Sequence, residues 1–364
     1  MDKKKVGIVT IVDFDNYGNR LQNYAVSYFT NKYFKSETLC IVEDNFRNRY
    51  NKFCYNFLWL EKIKIALRKI TGKDNIKKQR YYNFLLFSKN NIPLRYCFKK
   101  NGVLESELDK KYNYFVIGSD QVWNPLFGCG TEIEYLRFAR KEQKICFSPS
   151  FGISELPDEE KEFVKESLLS FDKISVREEE GKRLIYDVSG KKAEVLIDPT
   201  MMLTPEEWLS VSKEVNIKNS SPYILVYFLG DRDRNRDKVV STIAKKYSLD
   251  EYRLVDLSNH ELYKAGPAEF IKLICNAKLV CTDSFHAIVF SIIFKIPFIV
   301  FGRAGGTGMN SRINTLLRKF KLEDRVNENF DINKVFEIDY SNVDEILKGE
   351  RKKVMEYFKE YITI

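Results

Sequence analysis

The fold class the sequence predicts is α/β, built as two doubly wound domains facing each other across a cleft. Three observations predict it. Short hydrophobic runs of strand type alternate with stretches of helical periodicity along the chain, the pattern of parallel sheets covered by helices. Each half opens on such a run, VGIVTIV at 6–12 and YILVYFL at 223–229. Each half later carries a strand run ending in a small hydroxyl residue and an aspartate, Ser119-Asp120 in one and Thr282-Asp283 in the other. A chain of 364 residues with 44% hydrophobic side chains has material for two cores.

In the first half, 6–12 reads as a buried parallel strand. The polar loop 13–19 (DFDNYGN) follows, and then a helix over about 20–34. That loop lies just past a strand's carboxyl end, where open α/β sheets bind ligands, and Gly18 permits a tight backbone there. It lacks the GxGxxG fingerprint of dinucleotide sites. A second strand is expected at 38–42, and 45–100 reads as a basic, aromatic insertion of helices. A strand at 114–117 runs into Gly118-Ser119-Asp120-Gln121-Val122-Trp123-Asn124-Pro125, a second ligand-facing loop. Asp120 suits a general base or an acceptor of substrate hydroxyls; the alternative is an Asx turn or helix cap. Strands at 144–148, 173–176 and 195–197 and helices at 157–170 and 178–187 complete the half. Arg177 stands at a strand end beside a helix start. A guanidinium there grips a carboxylate or phosphate bidentately, or pairs with the acids at 178–180.

A domain boundary is placed at 200, after Asp198-Pro199-Thr200, giving domains 1–200 and 201–342 and a closing helix at 343–364. Thr204-Pro205-Glu206-Glu207 is a capping box with proline at the first helical position. A helix at 234–246, a strand at 253–256 and a helix at 267–275 lead to 278–301, KLVCTDSFHAIVFSIIFKIPFIVF. This stretch reads strand–loop–helix–strand, with His286 at the helix's N-terminal edge. Free N–H groups and the positive dipole end make such an edge a ready anion site. A lone histidine there is either structural or functional. The glycine-rich 302–308 reads as a mobile loop that orders on a ligand, and no P-loop lysine follows it. Ser311 is expected to cap a helix over 312–320.

The formal charge of +9 is localised. Between 46 and 100 stand fifteen lysines and arginines against Glu61 and Asp74, a net +13, so the rest of the chain is net −4. Phe53, Tyr55, Phe57, Trp59, Tyr81, Tyr82, Phe84 and Phe87 are interleaved with them. Two readings follow: amphipathic helices with a solvated basic face, or a surface that meets an anionic membrane or a lipid-phosphate carrier. No recognition pattern accompanies the charge, so nucleic acid is not an expected partner. Seven scattered cysteines without a CxxC pair fit reduced, buried thiols in a cytoplasmic protein. No signal peptide or transmembrane span is read, and zinc motifs, a GxSxG elbow and a kinase set are missing.

The groups at strand ends are Asp120, Arg177, His286, Arg303 and Arg312, a set suited to a small polyanionic substrate and proton transfer at a hydroxyl. Asn16-Tyr17-Gly18 with Leu21-Gln22, GSDQVWN at 118–124, Ser150-Phe151-Gly152, Ser175-Val176-Arg177-Glu178, Asp198-Pro199-Thr200, TDSFH at 282–286 and Asn310-Ser311-Arg312-Ile313 occur in one order along nearly the whole chain. In these the sequence resembles the polysaccharide pyruvyl transferase family.

The resemblance implies two Rossmann-like domains in a GT-B-like arrangement. It also implies transfer of a pyruvyl group from phosphoenolpyruvate to two hydroxyls of a sugar, giving a cyclic ketal and free phosphate. His286 is then the expected acid at the donor's methylene, and Asp120, assisted by Asp283, the base at a sugar hydroxyl. Arg177, Arg312, Arg303, Ser284 and Phe285 are the expected donor-binding residues; Asn16, Tyr17, Gln22, Trp123 and Asn124 the acceptor-binding ones. Ser284 stands where some family members carry arginine, so another group holds the anion or the donor differs. No metal or cofactor is needed beyond phosphoenolpyruvate as co-substrate. The expected partners are that donor, a lipid-linked or polymeric sugar in capsule or exopolysaccharide synthesis, and an anionic membrane surface through 46–100. The expected location is cytoplasmic, with a peripheral position at the inner face of the membrane. The competing readings are a GT-B glycosyltransferase using a nucleotide sugar and a non-catalytic sugar- or anion-binding protein.

Overall fold

Five strands of the first half pair side by side in the order β3-β2-β1-β4-β5, all parallel: β1 (Lys5–Val9), β2 (Lys35–Glu43), β3 (Leu94–Lys99), β4 (Tyr114–Ile117) and β5 (Lys144–Cys146). These are the coordinates of a computed structural model that describes residues 3–72, 75–100, 104, 107–213, 221–231, 233–303, 310–327 and 331–363. A short parallel pair, β6 (Ser175–Val176) and β7 (Glu194–Val195), follows. The second half adds β8 (Tyr223–Tyr227), β9 (Asp250–Arg253), β10 (Leu279–Thr282) and β11 (Phe298–Val300), parallel in the order β11-β10-β8-β9. The chain divides into two units, 1–202 with 350–364, and 203–349. The fold class is therefore α/β with two doubly wound, Rossmann-like parallel sheets, one in each unit.

Burial explains why these segments became strands. Val6, Ile8 and Val9 of β1 and Phe115, Val116 and Ile117 of β4 are buried, as are all of β8 and β10, which is what a sheet covered on both faces demands. Phe115, Trp123, Tyr135, Phe151 and Phe171 lie in the core of the first unit. Ile224, Val226, Leu279, Cys281 and Ile299 lie in that of the second. All seven cysteines are free thiols, and five of them are buried.

Chain order fixes where the two sheets can bind a ligand. In the first, successive strands run outward from β1 through β2 to β3, and from β4 to β5 on the other side, so strand order reverses between β1 and β4. In the second it reverses between β8 and β10. The loops that leave the carboxyl ends of strands at such a reversal diverge and open a crevice. Those loops carry 10–16 and 118–124 in one unit, and 228–231 and 283–284 in the other.

Helix ends follow local chemistry. The helix Tyr17–Tyr33 is capped by Asn16, whose side chain accepts from the Asn19 N–H. Pro205–Val211 begins with the full Thr204/Glu207 capping box. The closing helix Val343–Thr363 delivers Phe358 onto Phe29 and Phe147 of the first unit, at ring separations of 5.1 and 4.9 Å.

Several expectations need correction. The stretch 45–100 is not all helix: after Phe46–Asn56, Leu58–Ile70 and Ile76–Asn91 the chain forms β3, in register with β2 from Thr38↔Leu94 to Glu43↔Lys99. As an edge strand it buries only Cys97 fully, so alternating charges hid its period. Strand β9 lies three residues earlier than 253–256; polar Asp250, Glu251 and Arg253 form it at the sheet edge, and Val255 instead sits at φ 63°. Ser311 falls inside the helix Asn310–Phe320 rather than capping it. The glycine-rich stretch lies mostly outside the described residues. Among the described residues no helix is long and apolar enough to cross a membrane.

Candidate functional site

In the first unit the two reversal loops are tied together from below. Gln22 donates from Nε2 to Thr10 Oγ1 at 2.7 Å, and Thr10 Oγ1 donates to the Ser119 carbonyl at 3.3 Å. Gly118 leaves room for this: a Cβ there would lie 3.2 Å from Thr10 Cβ. Gln22 is fully buried, and its place is this brace between β1 and β4.

Above the brace stands a buried ion cluster. Arg177 forks between two carboxylates, donating from Nη1 to Asp198 Oδ2 at 2.7 Å and from Nη2 to Asp120 Oδ1 at 2.9 Å. Ser119 Oγ shares Asp198 Oδ2, at 2.9 Å. The other oxygen of Asp198 accepts from the Thr200 N–H and hydroxyl. Glu178 Oε1 gathers the Ser150 hydroxyl and the N–H groups of Phe151 and Gly152. Burial pulls the Arg177 guanidinium down, but Asp120, Asp198 and Glu178 outweigh it and hold the group above its ordinary value. The guanidinium expected to grip a donor is thus already held by two carboxylates.

Asp120 itself adopts φ 71° and Ser148 φ 53°, left-handed conformations at the carboxyl ends of β4 and β5. Such backbone costs of order 1–3 kcal/mol per residue and persists only where surroundings enforce it. Here a parallel bridge between Asp120 and Pro149, the Ser150 N–H to Asp120 carbonyl bond, and the Ser175 hydroxyl on the Ser148 N–H enforce it.

The aromatic and amide neighbours divide. Trp123 is fully enclosed, stacked on Tyr135 at 5.1 Å and donating its indole N–H to the Glu134 carbonyl, so it offers no face to an acceptor sugar. Tyr17 is likewise buried, its hydroxyl accepting from Arg80 Nη1 and its ring under the Arg80 guanidinium at 4.5 Å. Asn124 caps the turn at Leu126 and donates to Gln121. Asn16, the cap of its helix, is half-buried in the 13–19 loop. Arg80 also donates to the Asp15 carboxylate and carbonyl, which binds the basic insertion to this loop.

In the second unit the same topology places Asp283 at the reversal between β8 and β10. Its side chain is buried and accepts from the Leu229 N–H at 2.6 Å, the Gly230 N–H at 3.0 Å and Arg236 Nη1 at 3.1 Å. Arg303 Nε stands 4.0 Å from the same carboxylate. Asp283 thereby clamps the loop after β8 to the loop after β10, which makes it a positioning residue rather than a free base. Thr282 Oγ1 donates to the Tyr227 carbonyl and accepts from the Ser284 N–H.

His286 follows in the first turn of the helix Phe285–Phe294, 6% exposed, with its ring edge-on to Phe285 at 5.3 Å. Ser284 is the N-cap residue, yet its side chain makes no capping bond. The first N–H groups of a helix have no intrahelical acceptor, and the positive end of the helix dipole lies at this turn. Arg312 lies over the outer ring of this turn, 5.9 Å from Phe285. His286, Phe285, Ser284, Arg303 and Arg312 are therefore all in the second unit, near one helix end or its clamp.

Three partners went unread in the sequence. Asp198 was visible as part of a motif without a role. Arg236, in the first turn of the helix Arg234–Tyr247, and Arg80 look like ordinary helix-surface cations, and no local signal marks their burial.

Fold and site together define a doubly wound α/β protein with a polar, ionised loop cluster at the strand reversal of each sheet. A family model for polysaccharide pyruvyl transferase matches residues 16–305. The chain belongs to the polysaccharide pyruvyl transferase family, transferases of polysaccharide biosynthesis. No curated protein matches it significantly in sequence. Among solved structures it is similar to UDP-N-acetylglucosamine 2-epimerase from Rickettsia bellii, with 11% identity, TM-score 0.49, and 99% of this chain and 97% of that one covered. UDP-GlcNAc 2-epimerase from Neisseria meningitidis bound to UDP-GlcNAc gives 12% identity and TM-score 0.46 over 97% of this chain and 100% of that one. A glycosyltransferase from Rickettsia africae gives 12% identity and TM-score 0.44 over the whole of both chains (100% and 100%).

Proposed function

We propose that the protein transfers the pyruvyl group of phosphoenolpyruvate to two hydroxyls of one sugar in a surface polysaccharide or its lipid-linked precursor. In that reaction C2 of the donor forms two C–O bonds to the sugar oxygens and its bond to the phosphate oxygen breaks. One hydroxyl proton ends on the methylene, which becomes a methyl group, and the other on the phosphate. The observation that carries the reading is the Thr282–His286 turn, in a chain that belongs to the polysaccharide pyruvyl transferase family. It offers an anion-ready helix start, with Ser284 and Phe285 at it, beside a histidine.

His286 supplies the proton to the methylene, and the amides of its turn with Arg303 and Arg312 receive the donor's anionic groups. In the first unit Asp120 is the carboxylate for a sugar hydroxyl, with Arg177 setting its orientation. Asn16 and Asn124 contact the acceptor, while Tyr17, Gln22 and Trp123 shape the loops behind them.

The test is a thermal-shift titration with phosphoenolpyruvate against a set of nucleotide sugars, followed by phosphate release in the presence of candidate glycans. A saturable stabilisation by phosphoenolpyruvate, and an acceptor that gains one pyruvate less one water, is the expected result. Stabilisation by a nucleotide sugar alone, with glycosyl transfer to the acceptor, would overturn the reading in favour of a glycosyltransferase.

A further inference from the structure

The helix Leu58–Ile70 turns the wrong face outward for a solvated surface. Trp59, Ile63, Leu67 and Ile70 are 60, 48, 56 and 82% exposed. At 100° per residue they fall, with exposed Ala66, on one continuous stripe. Exposed Lys62 and Lys69 border that stripe on one side. The helix before it adds exposed Phe46, Tyr50 and Phe53, and Phe57 lies at the joint between the two. Contiguous apolar surface of this kind marks an interaction site.

We propose that this face docks in the plane of an anionic membrane surface, with the stripe at the acyl boundary and the lysines among the headgroups. Charge decides the occupant. The segment 46–100 is net +13 while the remainder of the chain is net −4, so the positive potential is concentrated where the apolar stripe is. A second copy of the chain would bring two such segments together and is opposed by that charge; an anionic bilayer is complementary to it. Thirteen residues rise only about 20 Å as a helix, too short to span the hydrocarbon core and suited to lying within the interface. Not every cation in the segment serves the surface: Arg80 is buried on Asp15 and Tyr17, and Arg49 is paired with Asp44. The inference is independent of the reaction proposed above, though a lipid-linked acceptor would be met at such a surface.

The molecule carries its own reporter. Of its three tryptophans, Trp123 and Trp208 are fully buried and Trp59 is exposed. The full chain is mixed with vesicles of phosphatidylglycerol or of phosphatidylcholine, and sedimentation, tryptophan emission and acrylamide quenching are followed. Expected are co-sedimentation with phosphatidylglycerol vesicles, a blue shift and protection from quenching, all weakened by salt. Lys62→Gln with Lys69→Gln should lower vesicle affinity roughly twenty-five-fold, taking about fivefold for each lysine near an anionic surface. Ile63→Gln with Leu67→Gln should abolish the blue shift while leaving the melting temperature unchanged, since both side chains are exposed. Equal binding to phosphatidylcholine, or none to either vesicle, would overturn the proposal. So would a concentration-dependent dimer that Ile63→Gln with Leu67→Gln dissociates in the absence of vesicle binding.

Discussion

Arg177 Nη1 and Asp198 Oδ2 lie 2.7 Å apart, the arginine side chain 2% exposed and the carboxylate not at all. Asp120 occupies the second arm of the same guanidinium. Removing the arginine alone leaves Asp198 charged and buried without its cation. Arg177→Met should therefore destabilise the protein by about 3–5 kcal/mol, measured by urea denaturation. Arg177→Lys should recover little of it, because one ammonium cannot serve two carboxylates from a planar fork. Adding Asp198→Asn to Arg177→Met should cost less than the sum of the two single changes, since the second removes the charge the first exposed.

Gly152 holds φ +65°, and a Cβ there would sit 1.9 Å from Gln121 Oε1 and 2.6 Å from Gln121 Cδ. Gly152→Ala would both strain the backbone and displace Gln121, which accepts the Asn124 side-chain N–H at 2.9 Å. A loss of about 1–3 kcal/mol in chemical denaturation is expected. Gln121→Ala in the same chain should return the steric part and leave the conformational part. If the double variant is no more stable than Gly152→Ala alone, the clash is not the cause.

The apolar skeleton could be read from the sequence because it is local. The buried runs of β1, β8 and β10 and the helix Phe285–Phe294 announce themselves by unbroken hydrophobicity. The capping box at Thr204 and the break at Thr282-Asp283-Ser284 are equally local. What stayed hidden depends on pairing across the fold. Strand β3 owes its existence to hydrogen bonds with β2, and its half-exposed charges mimic a helix surface. Asp283 and Arg236 meet across 47 residues, and Asp198 and Arg177 across 21, distances over which no periodicity speaks. Trp123 sits in a loop whose polar neighbours suggest a binding surface, yet three buried aromatic rings, Tyr135, Phe151 and Phe171, take it into the core.

Lys144 in β5 is buried, donating from Nζ to Ser170 Oγ at 2.7 Å and lying over Phe171. Burial, then the nearby Arg137 charge, pushes its ammonium down to about 8, from an ordinary 10.5. The folded value is the lower one, so the unfolded chain holds this proton more tightly. The destabilisation is therefore complete below about pH 8 and fades as pH rises toward 10.5. Relative to Lys144→Met, the natural protein should melt lower at pH 7, and the gap should narrow at pH 10. A gap that stays constant across that range would mean Lys144 is not titrating, leaving packing and its bond to Ser170 as the whole effect.

Asp283 and His286, three residues apart, should separate under mutation. Asp283 satisfies two loop amides and Arg236, so Asp283→Ala strands all three and should cost about 3–5 kcal/mol in stability. Its loss of activity should follow the loss of folded protein and of donor affinity, because the loop after β8 is released. His286→Gln keeps the side chain's polarity and nearly its size. Stability and the thermal shift with phosphoenolpyruvate should change little, while turnover falls by roughly 10²–10⁴ if the imidazole gives the methylene its proton. Should His286→Gln instead weaken donor binding with turnover intact, the histidine holds the donor's anion, and the proton comes from another group.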